Sequence, residues 1–251
     1  EGVARQFDRH VGFGFFPSSQ TRHYTPWESM HLYLDYPLLN IDSILVDDDG
    51  DSTYETTMTT GDYHLKPYNA TAESPARPWW ELEIRDDATT VFPQGVVRGI
   101  RLAGTWGYYD QREDTTAAPA TAINAIQVNI GMTGATSLHP GQTIRVDSEQ
   151  MFIERMGQSG SDTATGVIFV RRHVNGTTGA THSSNSTISI YSYPVVDRAS
   201  LYQAEMDYRA KDAPLGFAGV EPMGTQSLRS LGGLHPFVRR MLDDFRVPVA
   251  G

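Results

Sequence analysis

The chain has 251 residues, a formal net charge of -10 and no cysteine, which excludes disulfides, thiolate metal sites and cysteine nucleophiles. A hydrophobic fraction of 39% and a charged fraction of 20% are those of a globular chain, and no stretch approaches the ~18 apolar residues of a membrane-spanning helix. The charge is uneven. Residues 21–114 hold seventeen acids against seven Lys and Arg, while the segments on either side are balanced, which argues against a phosphate-gripping surface in that segment.

The opening "EGVARQFDRH" lacks the basic and apolar regions of a signal peptide, and the sequence begins at Glu1 without an initiator Met. Val3, Phe7 and Val11 recur at helical spacing before Gly12, which predicts a short N-terminal helix within residues 1–20. From Thr21 onward, β-prone runs such as "HLYLDYP", "IDSILVDD" and "RGIRLAGTWGYY" alternate with turn residues. They predict an acidic antiparallel β domain over 21–114, sandwich- or barrel-like. In "WELEIR", Trp80, Leu82 and Ile84 alternate with Glu81, Glu83 and Arg85, the pattern of one buried and one wet face.

"QREDTTAAPATA" reads as a bridge, with residues 115–122 as a linker. A second β domain is expected over 123–192, from "INAIQVNI", "QTIRVDSEQMFIERM", "TGVIFVRRHV" and "STISIYSYP", with strands close enough to pair as hairpins. Residues 193–251 form a C-terminal helical segment: a helix over 195–211, a loop, and a short helix in "HPFVRRMLDDF" with Pro236 in its first turn. The expected class is α+β.

Candidate chemistry is sparse. "DDDGD" offers Asp47, Asp49 and Asp51 at the first three positions of a calcium loop, but Ser52 stands where that loop needs Gly and Met58 where it needs Glu. Asp49-Gly50 is a favoured hairpin dipeptide, so the three aspartates remain candidates only for an adventitious cation site. Glu81, Glu83 and Asp86 are candidate paired carboxylates, read instead as a solvated sheet face. Trp27, Trp79, Trp80 and Trp106 suit a sugar-stacking platform or, alternatively, core and interface packing. The eight histidines make no HxH or HxxxH spacing, and no nucleophile elbow, phosphate loop or dinucleotide fingerprint is present. Sequons fall at Asn69, Asn175 and Asn185. No catalytic residue, cofactor or dedicated metal is expected.

The order of the parts nevertheless resembles the head–tail adaptor (connector) proteins of long-tailed double-stranded DNA bacteriophages. The resemblance rests on Phe16-Pro17, Thr21-Arg22, the turn from Asp47 to Glu55, Asp62 to Ala70, and Gly104 to Tyr108. It continues through "PGQTIRVDSEQM" and "VRRHVNGTTGATH", with His173 where a Gly is usual, and ends in "DRASLYQAEMDYRAK" and "LHPFVRRMLDDFR". It implies a structural virion protein that is not an enzyme. The protein would form a ring of about twelve copies below the portal, lining the DNA exit channel. The implied partners are other copies of the chain, the portal, and head-closure or tail proteins. DNA would pass without sequence-specific binding, and no membrane is involved. Assembly in the host cytoplasm and a place in the virion neck follow. The resemblance also makes the last helix a docking element through Phe237, Met241, Leu242 and Phe245. Other phage tail-completion, baseplate or decoration proteins, and a carbohydrate-binding β module, stay open as alternatives.

Overall fold

The computed structural model describes residues 2–72, 76–108, 111–158, 165–210 and 233–246. The protein is α+β, with two antiparallel sheets and helices at both ends of the chain. It divides into two units: Phe16–Ser192, which holds all the strands among the described residues, and a helical unit made of Glu1–Phe15 with Tyr193–Gly251. The N-terminal helix and the C-terminal helices, expected as separate segments, therefore belong to one body.

The first sheet contains β1 (Ser18–Tyr24), β2 (His31–Val46), β3 (Thr56–Met58), β4 (Tyr63–Lys66), β5 (Trp79–Ile84) and β6 (Ile100–Trp106). Its order is β1-β6-β2-β5-β4, with β3 paired to the far end of β2. The long β2 serves β5 with its first half and β3 with its last residues, and register shifts in its pairing with β6 bend it between them. The expected alternation in β5 is present: Leu82 and Ile84 are buried, while Glu81 and Glu83 lie on the other face beside Lys66. At the bend, Gly104 faces Ile41, and a Cβ there would stand 2.2 Å from the Asn40 carbonyl oxygen. Only glycine admits that approach.

The second sheet contains β7 (Arg112–Asp114), β8 (Ala118–Pro119), β9 (Asn129–Thr133), β10 (Thr143–Val146), β11 (Glu149–Gln158), β12 (Thr165–Arg171) and β13 (Ile188–Tyr191), in the order β7-β13-β10-β11-β12-β9-β8. Its two edge strands are separated in the chain only by residues 115–117. That connection reaches ~14 Å at most, whereas six flat inter-strand gaps would span ~29 Å. The sheet must therefore curl until its edges meet, as a small barrel around Ile130, Met132, Ile144, Met151, Ile153 and Ile168. Bonds from Thr115 to Ile188 and from Asn185 to Pro119 run beside this seam. The expected linker at 115–122 is thus corrected. It is the stitch of the barrel, with Ala117 only 2% exposed, and its small residues fit because the two edges leave little room.

In the helical unit, α1 (Gly2–Val11), α2 (Pro194–Ala210) and α3 (Pro236–Asp243) pack together. Phe7, Val11, Phe15, Ala199, Val238 and Leu242 are buried there. The Gln203 side chain accepts from the His235 amide (2.9 Å), and His10 meets Asp243 (2.9 Å). The end of the expected helix at Lys211 and the loop up to residue 232 lie outside the described residues.

Gly104→Ala should lower unfolding free energy in urea by about 2–4 kcal/mol, because a backbone carbonyl cannot yield. Gly141→Ala, at φ 93° with open space around it, should cost about 1 kcal/mol, from backbone conformation alone.

Candidate functional site

The residues that carried the sequence motifs gather at three places. The first is around Arg22 on β1. Its guanidinium lies 3.9 Å from the centre of the Tyr36 ring and 5.1 Å from that of Trp106, and it bonds Gln20 and Asp35. The Trp106 indole N–H donates to the Gln20 carbonyl (3.0 Å) and the ring is fully buried. Tyr24 donates to Asp35 (2.9 Å). Burial and then the Asp35 charge push the Tyr24 phenol well above its ordinary range, so it stays a donor. Arg22 and Trp106, from two of the motifs, therefore form one stack of cation–π and ring contacts with Tyr24 and Tyr36.

The second place is the loop from Asp47 to Glu55. Asp47 is 1% exposed, and its carboxylate accepts from the amides of Gly50 (2.7 Å) and Ser52 (2.9 Å). Gly50 and Ser52 both take left-handed backbone conformations, at φ 83° and 74°. The connection is therefore a longer loop folded around one aspartate, not the two-residue turn expected at Asp49-Gly50. The reason is register: Val46 pairs with Thr56, which leaves residues 47–55 outside the ladder.

Carboxylate oxygens of Asp47, Asp49 and Glu55 lie within 4.8 Å of one another and could clamp a divalent cation. Asp51 is not in this group; its carboxylate accepts from the Thr53 amide (2.7 Å). Glu55, which sequence spacing missed, takes its place because the loop doubles back. Both oxygens of Asp47 already accept backbone N–H groups, so the loop closes without a cation.

The third place is a charge cluster at one end of the barrel. The β10–β11 turn places Glu149 inward, in step with Met151 and Ile153, and β12 ends by placing Arg172 inward after Ile168 and Val170. Arg172 Nε donates to Glu149 Oε1 (2.7 Å) and Nη2 to Oε2 (2.5 Å). Its other N–H groups meet the carbonyls of Asn124, Gln127 and Ala180, so all five guanidinium donors have acceptors. Glu149 also accepts from the Ala180 amide (2.9 Å) and faces His182 Nε2 (3.0 Å), whose Nδ1 faces Asp147 (2.7 Å). Burial raises the Glu149 carboxyl. Arg172, His182 and the Ala180 amide outweigh it and hold the group at about 2.

Next to Glu149 the alternation turns Gln150 outward. Its amide donates to the Pro17 carbonyl (2.7 Å) and accepts from Asn175 (2.8 Å). A Cβ on Gly176 would stand 2.4 Å from the Ser19 carbonyl oxygen. This junction joins the barrel to β1. His173, where the resemblance expects Gly, sits at φ 59° and ψ 32°, a left-handed conformation that glycine adopts freely, so the turn keeps its shape. The Asn175 sequon side chain is already engaged inside this turn.

Other sequence candidates disperse. Trp106 is core, while Trp79 and Trp80 are half-buried. Trp27 is 90% exposed and borders a cleft of 320 Å³ with Tyr24, Tyr33 and Asp35. The four tryptophans thus do not form a platform. Glu81 and Glu83 both pair with Lys66, and Asp86 is exposed. Of the expected docking residues, Leu242 and Phe245 are buried within the helical unit, Phe245 against Phe15, and Met241 is half-buried. Only Phe237 presents a substantial surface, and it also touches Tyr202. The docking assignment is corrected for Leu242 and Phe245, because the apolar side of α3 is used against its own unit. No helix among the described residues is long and apolar enough to cross a membrane. The chain matches no protein-family model, no curated protein and no solved structure.

Asp47→Ala should cost about 1–3 kcal/mol by urea denaturation, and excess chelator should leave the wild-type melting temperature unchanged. Arg172→Leu should cost about 3–5 kcal/mol, since it strands a buried carboxylate. Because the Glu149 carboxyl is depressed from 4.5 to about 2, its contribution is complete above pH 4.5 and is lost as pH falls through about 2. The stability gap between wild type and Glu149→Gln should narrow over that window. A constant gap from pH 7 to pH 2 would contradict the assignment.

Proposed function

We propose that this chain is a structural virion protein, a head–tail adaptor that assembles into a ring below the portal and lines the path of the exiting DNA. One observation carries the reading: motif residues far apart in the chain converge on architectural roles. Pro17 from the first motif and Gln150 from the "DSEQM" motif meet in a single hydrogen bond. Gly176 from the "VNGT" motif packs on Ser19. Arg22 stacks on Trp106 from the "GTWGY" motif. The first two contacts set the barrel against β1 and the third holds the first sheet together around β1, which suits a protein whose work is done by its interfaces. The excess of acids in residues 21–114 is compatible with a wall that repels phosphate rather than gripping it. Its partners in this reading are further copies of itself, a portal, and a head-closure or tail protein.

Native mass spectrometry of the purified chain, alone and with portal, tests the proposal. The expected species is a closed ring of about twelve subunits that co-sediments with portal. A chain that stays monomeric at every concentration, with and without portal, would be incompatible with an adaptor.

A further inference from the structure

The connection from β1 to β2 puts an indole almost wholly into water while fixing the backbone that carries it. Trp27 is 90% exposed. The Gly95 amide donates to the Pro26 carbonyl (2.9 Å), the Gln94 side chain to the Trp27 carbonyl (2.8 Å) and the Phe92 amide to the Ser29 carbonyl (2.9 Å). The Arg98 amide donates to the Thr25 hydroxyl oxygen (3.0 Å). These bonds strap residues 25–29 to the loop over 92–98. A ring presented from a backbone this well held loses little freedom when something lies against it.

Trp27 borders the cleft of 320 Å³, a volume at the lower end of small-ligand sites. Tyr33, 53% exposed, lines it as well. That ring stacks with His31, centres 6.3 Å apart and planes within 13°, and His31 Nδ1 meets Glu81 (2.7 Å), so this wall is oriented too. One oxygen of Asp35 takes the Tyr24 hydroxyl (2.9 Å) and Arg22 (3.4 Å). Its other oxygen, and the whole carboxylate of the exposed Glu28, accept no hydrogen bond among the described residues. The cleft therefore combines two presented aromatic rings with carboxylate acceptors and the imidazoles of His23 and His31.

We propose that this cleft binds a neutral saccharide. A pyranose ring has a C–H face that lies against the electron-rich face of an indole or phenol ring, and hydroxyls at its edge that both donate and accept. Asp35 and Glu28 accept from such hydroxyls, while the Tyr33 hydroxyl and the imidazoles give or take further bonds. Other ligand chemistries fit less well. Acidic and basic groups are mixed around the cleft: Arg22 stands beside Asp35 and Lys66 beside Glu81, and Arg98 and Arg101 join burial in lowering the His23 imidazole. A cation therefore meets no strong anionic field, and the excess of acids in residues 21–114 disfavours phosphate. An apolar ligand would cover Asp35, Glu28 and the imidazoles without giving them partners. Trp79, Trp80 and Trp106, which are half-buried or core, take no part.

The inference goes beyond the ring reading and does not depend on it. The full chain is titrated in a calorimeter with maltohexaose, cellohexaose and chitohexaose, and separately with tetramethylammonium chloride and inorganic phosphate. At least one saccharide should bind with a Kd of about 1 mM or tighter and shift the tryptophan emission, because Trp27 is the exposed indole. Trp27→Ala and Tyr33→Ala should each weaken that binding about tenfold, Asp35→Asn should weaken it as well, and Phe237→Ala in the helical unit should leave it unchanged. Trp27→Ala should melt like wild type, which separates lost binding from lost folding. Three saccharides that give neither heat nor an emission shift overturn the inference. So does an affinity that Trp27→Ala and Tyr33→Ala leave untouched. If only tetramethylammonium or phosphate binds, and Trp27→Ala abolishes it, the cleft belongs to an ion and the inference fails. The ring is read by native mass spectrometry, which none of these outcomes touches.

Discussion

The buried pair of Glu149 and Arg172 is the interaction on which the barrel depends. Both side chains point into an apolar interior where an unpaired charge would be very costly. They are tolerated because each is saturated. The guanidinium binds the carboxylate in two places and then takes three backbone carbonyls from two separate loops. Those loops meet in one bridge, between Ile123 and His182, and the ion pair reinforces it by holding both loops. Closing the barrel end therefore requires both charges, and removing either leaves the other stranded.

The same strand shows how one register serves two purposes. Successive residues point to opposite faces, so Glu149 ties the barrel's interior while Gln150 reaches the Pro17 carbonyl outside it. A slip of one residue would exchange them and lose both contacts. The left-handed turn at His173 and Asn175 completes the junction by presenting Asn175 to Gln150 and leaving Gly176 against Ser19. Together these contacts turn two sheets with separate cores into one unit. Such a body suits the proposed ring subunit, whose interfaces would keep a fixed geometry relative to one another.

Charge is organised at the same scale. In the barrel Glu149 is neutralised by Arg172 and Asp147 meets His182, while most of the acids described in the first sheet and its loops, Asp47 excepted, lie on the surface.

The sequence by itself determined the elements and the class. Period-two runs, helical spacing before Gly12 and after Pro194, and turn residues between them are local signals, legible because neighbouring residues specify backbone conformation. It also marked the motifs, including the loop at Asp47. Only tertiary structure decided what they do. Residues 115–122 look like a linker because small and polar residues have no local preference, yet the closure of the barrel makes them its seam. Leu242 and Phe245 look like a free apolar stripe until the rest of the helical unit covers them, Phe245 against Phe15. Glu149 and Arg172 lie 23 residues apart and carry no helical or metal spacing. Their pairing, like the choice of Glu55 over Asp51 beside Asp47, exists only where distant strands and loops meet, and no local pattern encodes that meeting.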